Sequence, residues 1–120
     1  MTNIGKAYGF FDCRASKEEI EAEIPTIRKL VQTPSELELS LMLNETFSGP
    51  KDLASIAREA REAGVKYVIE ATYPDRTNKQ TAQELGTILN QAYQSPLYQE
   101  GEQFKGQVVY GEGNEYRFSE

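Results

Sequence analysis

The sequence predicts a two-layer α/β sandwich of the α+β kind, in the order β-α-β-α-β-α-β-β, with three helices mainly on one face of a mixed sheet. Three observations predict it. Apolar residues recur first at period two and then at helical spacing, several times along the 120 residues, as strands alternating with helices require. Two capping boxes, Ser16 with Glu19 and Thr77 with Gln80, mark helix starts. Strands two and three each carry one polar face, which strands of a sheet buried on both sides would not.

The first strand is expected over about residues 4–11. Ser16 opens the first helix, whose apolar stripe is Ile20, Ile24, Ile27 and Val31; Pro25 should kink it or break it in two. The second strand sets Leu37, Leu39, Leu41 and Leu43 against Glu36, Glu38, Ser40 and Met42. Ser48, Gly49 and Pro50 then suit a helix start, Leu53, Ile56, Ala57 and Ala60 its buried stripe, and Gly64 its stop. The third strand covers about residues 65–72. The third helix follows Thr77, buries Ala82, Leu85, Leu89, Ala92 and Tyr93, and uses Gly86 for close packing. Residues 97–103 read as a polar, mobile connection, and residues 104–110 and 115–119 as a hairpin.

The length suits one domain over residues 1–120. A formal charge of -6 repels phosphodiester backbones and anionic headgroups, so neither nucleic acid nor a membrane is an expected partner. No stretch approaches the roughly 20 apolar residues of a membrane span, and no signal segment opens the sequence. The lone cysteine, Cys13, has no intramolecular disulfide partner, so a reducing compartment, the cytosol, is expected. Zero histidines remove imidazole acid–base work, Ser-His and Cys-His pairs, and imidazole metal sites. Oxygen-ligand metals such as Mg²⁺ stay open, with Glu45 and Asp75 as carboxylates that could share one; no metal site is assigned, and the cofactor is unknown.

If the first three strands run parallel, the loops after them gather at one edge, where open α/β sheets bind ligands. Those loops carry Asp12, Cys13 and Arg14; Asn44, Glu45, Thr46 and Ser48; and Asp75, Arg76, Thr77 and Asn78. Each precedes a helix whose first amides favour an anion. Arg14 and Arg76 would hold an anionic group, with Asp12, Asn44, Glu45 and Asp75 completing the polar shell. The same residue types also serve as ordinary caps and turn formers.

Two catalytic alternatives use the same edge. Cys13, beside Arg14 and a helix start, is a candidate nucleophile, since both features lower a thiol pKa. A buried free thiol is the plainer reading. Glu45 and Asp75 would serve as an acid–base pair if they approach each other.

Residues Lys6 to Phe11 resemble the aromatic octamer of RNA recognition motifs, which implies Lys6, Tyr8 and Phe10 on one sheet face for base stacking. Ala7 stands where the motif has its first glycine, and the segment lies on the first strand rather than the third. Glu36, Glu38 and Glu70 on that face would repel phosphates. Tyr8, Phe10, Met42 and Val68 instead suggest an apolar centre on an open sheet face, and hence a homodimer. The expected function is a small-molecule-binding or regulatory module for a polar anionic ligand. A small enzyme at the same edge and a ligand-free protein–protein adaptor are the alternatives.

Overall fold

The computed structural model describes residues 3–13, 15–92, 94, 107–113 and 115–119. Arg14, Tyr93 and the expected connection at residues 97–103 lie outside them. The elements are β1 (Ile4–Phe11), α1 (Lys17–Leu30), β2 (Glu38–Leu43), α2 (Ala54–Glu62), β3 (Tyr67–Pro74), α3 (Asn78–Ala92), β4 (Gln107–Glu112) and β5 (Glu115–Ser119), with short 3-10 turns at Asn44–Thr46 and Lys51–Leu53. Five strands in one sheet and three helices make the α+β sandwich that the sequence predicts.

The strand order is β2-β3-β1-β4-β5, and every pairing is antiparallel. The units β1-α1-β2 and β3-α3-β4 are interleaved, so that each has a strand of the other between its own pair. β3 therefore runs against both of its neighbours. Phe11 and Leu43, at the ends of β1 and β2, both pair with Tyr67 at the start of β3, whereas Pro74 at the end of β3 pairs with Ile4.

Two apolar clusters sandwich the sheet. On one face Ala7, Phe11, Ile69 and Ala71 pack against Ile20 and Ile27 of α1 and against Ala82, Leu85, Ile88 and Leu89 of α3. On the other, Tyr8, Phe10, Val68 and Val109 pack against Leu53 and Ala57, with Phe47, Ile56 and Ala60 alongside. The helices thus divide two and one. The nine residues of α2, with the turns before them, cover only the Phe10–Val68 part of that face. Lys6, Glu38 and Ser40 are exposed there and Glu70 and Thr72 half-buried, which is why the face reads as polar in sequence.

Pro25 does not divide α1, which runs unbroken from Lys17 to Leu30. Ile20 and Ile27, on either side of it, are buried in one cluster, while Pro25 and Glu21 (whose carbonyl loses its partner) face water. The full capping box of Ser16 and Glu19 fixes the helix start. The start of α3 approaches β1 closely enough to need a glycine there: a Cβ at Gly5 would lie 2.4 Å from the Thr77 carbonyl and 2.8 Å from that of Arg76.

Candidate functional site

Antiparallel pairing sends the three loops to two ends of the sheet. Asp12, Cys13, Asn44 and Glu45 lie at one end, beside Tyr67; Asp75 and Arg76 lie at the other, beside the start of β1, where the Asp75 amide donates to the Asn3 carbonyl at 2.7 Å. The seven steps along β3 separate these ends by roughly 23 Å. The single three-loop edge expected from parallel strands is therefore not formed, and Glu45 and Asp75 cannot act on one atom as an acid–base pair.

At the far end, the Arg76 guanidinium sits 4.9 Å from the Tyr73 ring centroid and donates to the Asp75 carbonyl at 2.9 Å. Thr77 and Gln80 exchange the two bonds of a capping box. Asn78 accepts from the Lys6 amide at 2.9 Å and donates to the Gly111 carbonyl at 2.6 Å, bridging β1 and β4 just beyond the last paired residues, Ala7 and Tyr110. These polar groups stabilise the strand end and the start of α3.

At the near end, Cys13 is 5% exposed and packed in the α1–α3 core. Its surroundings are those of a small apolar side chain rather than of an accessible thiolate. Tyr67 stacks on Phe11, with ring centroids 5.5 Å apart, and its hydroxyl donates to the Ala15 carbonyl at 2.6 Å. Burial pushes that hydroxyl above its ordinary pKa, and the nearby Cys13, Asp12, Glu18 and Glu19 push it further. Asp12 is half-buried, and its Oδ1 has no hydrogen-bond partner among the described residues.

Asn44 organises this end from within. It is fully buried, its amide donates to the Lys66 carbonyl at 2.7 Å, and its Nδ2 donates to the carbonyls of Val65 at 3.1 Å and Ala57 at 3.4 Å. Its own carbonyl accepts from Arg61 Nη1 at 3.2 Å. The C-terminus of α2 completes the arrangement. Gly64, at φ +87°, reverses the chain so that its amide reaches Arg61 O and the Val65 amide reaches Ala60 O, both bonds of a Schellman motif.

Between these elements lies a cleft of about 480 Å³ lined by Leu43, Glu45, Arg61, Gly64, Val65, Lys66 and Tyr67. This volume lies within the range of small-molecule sites. Of the described residues among those proposed from sequence, Glu45 lines it, with Asn44 buried beside it. Arg61 and Lys66 read in sequence as parts of a solvated helix face and a polar strand face. Gly64 is the signal that links them, because a left-handed stop folds the last helical turn toward the residues that follow it.

The expected interface residues are covered by their own chain. Tyr8 is 3% exposed, Phe10 2% and Val68 0%, while Met42 is half-buried. Phe47 meets the rings of Tyr8 and Phe10 edge-on at 5.6 and 5.9 Å. While that segment is in place, neither a second copy nor a base can stack on them. Burial pushes the Tyr8 hydroxyl well above its ordinary pKa, and the nearby Glu70 and Tyr116 push it further.

Comparison with protein-family models, with curated proteins and with solved structures finds no match. Among the described residues no group of three or more thiol or carboxylate side chains is placed to hold a metal ion, and no helix is long and apolar enough to cross a membrane.

Proposed function

We propose that this chain is a small-molecule-binding module whose site is the cleft between β2, the C-terminus of α2 and the start of β3, and that its ligand carries an anionic group. One observation supports this above others. Among the described residues, Arg61 and Lys66 share a 480 Å³ cleft with one carboxylate, Glu45, in a chain of net charge -6. That local excess of cation favours an anion where the surface as a whole repels one. Arg61, held through Nη1 by the Asn44 carbonyl, keeps its remaining N–H groups for a carboxylate or phosphate at little cost in ordering. Binding is favoured over catalysis because Cys13 is buried and Glu45 and Asp75 stand at opposite ends of β3.

The test is thermal unfolding of the purified protein against carboxylates, amino acids, sugar phosphates and nucleotides. A ligand at about 100 times its dissociation constant stabilises by about 2.7 kcal/mol, which raises the midpoint of a domain this size by several degrees. The shift should disappear in a Lys66→Ala variant that unfolds cooperatively. No shift with any class, or one unchanged by Lys66→Ala, would overturn the assignment.

A further inference from the structure

We infer that the ligand of this cleft is an α-amino acid with an apolar side chain, bound as the zwitterion. The inference rests on the reading of the cleft as an anion-binding site and adds two requirements to it. The first comes from the charges. Glu45, Arg61 and Lys66 line one cavity, yet none of them is in an ion pair among the described residues. All three are exposed, so each is hydrated in the free chain and open to a ligand group of opposite charge. A simple anion would satisfy Arg61 and Lys66 but meet repulsion from Glu45. A simple cation would meet two positive charges. A carboxylate and an ammonium on one carbon answer both, the carboxylate on the guanidinium and the ammonium on Glu45.

The second requirement comes from the remaining wall. Leu43, 36% exposed at the end of β2, and the half-buried Val65 are the aliphatic residues that line the cleft beside the charged groups. An aliphatic or aromatic side chain lying there removes their surface from water. Sugar phosphates and dicarboxylates supply neither the cation nor the apolar part.

Isothermal calorimetry on the wild-type chain compares L-leucine and L-phenylalanine with 4-methylpentanoate and 3-phenylpropionate, which lack the ammonium, and with glycine, which lacks the side chain. The amino acids should bind at least about tenfold more tightly than either control. Glu45→Gln, a change at an exposed position, should abolish the preference over the des-amino acids and leave binding of those acids intact or stronger. Des-amino acids that bind as well as the amino acids, or a preference that survives Glu45→Gln, would overturn the inference and leave the anion site standing. Glycine binding as tightly as leucine would remove the apolar requirement and overturn it also. If neither amino acids nor acids bind, the inference falls together with the reading on which it rests.

Discussion

Asn44 donates its side-chain Nδ2 to the Val65 carbonyl at 3.1 Å, tying the end of β2 to the residue that follows the Gly64 reversal. The same nitrogen reaches the Ala57 carbonyl, and the residue is fully buried. An amide nitrogen facing two carbonyls makes this a position for a donor. Asn44→Ala should cost about 2–3 kcal/mol, since it leaves buried acceptors unpaired. Asn44→Asp should cost more, because a carboxylate would face those same carbonyls. Urea unfolding measures both; a loss below about 0.5 kcal/mol for either would show that Asn44 does not hold the cleft together.

Phe10 gives the second prediction. Its ring is buried beneath Phe47, Leu53 and Ala57, so Phe10→Glu should destabilise the chain by at least about 3 kcal/mol rather than yield a stable monomer. Phe118, 55% exposed on β5, is the control: Phe118→Glu should change stability by no more than about 0.5 kcal/mol. Equal effects at the two positions would contradict the cover over Tyr8 and Phe10.

Gly5 offers a sharper test of the fold. A Cβ there would lie 2.1 Å from Thr81 Oγ1 and 2.4 Å from the Thr77 carbonyl, so Gly5→Ala should cost about 1–3 kcal/mol by forcing α3 from the sheet. Adding Thr81→Ala removes the first clash but not the second, and should not restore the loss. Gly64 differs in kind, because an added Cβ meets nothing within 4 Å. Gly64→Ala should cost about 1–2 kcal/mol through its left-handed backbone alone. Chemical denaturation of the three variants separates the two causes, and full rescue by Thr81→Ala would place the close contact elsewhere.

The elements legible in the sequence are those whose cause is local. Ser16 with Glu19 and Thr77 with Gln80 announce two helix starts by side chains three residues apart, Gly64 ends α2 by its own φ, and the leucines of β2 alternate. The direction of β3 has no such local signal. Residues 44–66, which join β2 to β3, are long enough for a parallel crossover. The chain instead folds α2 over the opposite face and returns antiparallel, because Tyr8, Phe10, Val68 and Val109 need cover that α1 and α3 on the other face cannot supply. The candidate site moved for the same reason. Reversing β3 removes Asp75 and Arg76 from the end that holds Asn44 and Glu45, and the cations that replace them come from across the Gly64 turn.

The buried tyrosines make stability depend on alkaline pH. Tyr8 and Tyr67 have hydroxyl pKa values raised above the ordinary value near 10, chiefly by burial, and Tyr116 is raised in the same direction by burial and by Asp52. Below pH 10 these groups are neutral in both folded and unfolded chains, so their contribution is fully present. Above it the unfolded chain releases protons that the folded one retains, and stability falls as pH rises. Each retained proton contributes a limiting slope of about 1.4 kcal/mol per pH unit. The urea midpoint should therefore be flat with respect to these groups from pH 7 to 9 and drop between pH 10 and 11. Tyr8→Phe should remove one share of that slope while sparing the ring contacts with Phe47. A Tyr8→Phe protein with the same alkaline slope as the wild type would show that the Tyr8 hydroxyl titrates freely in the folded chain.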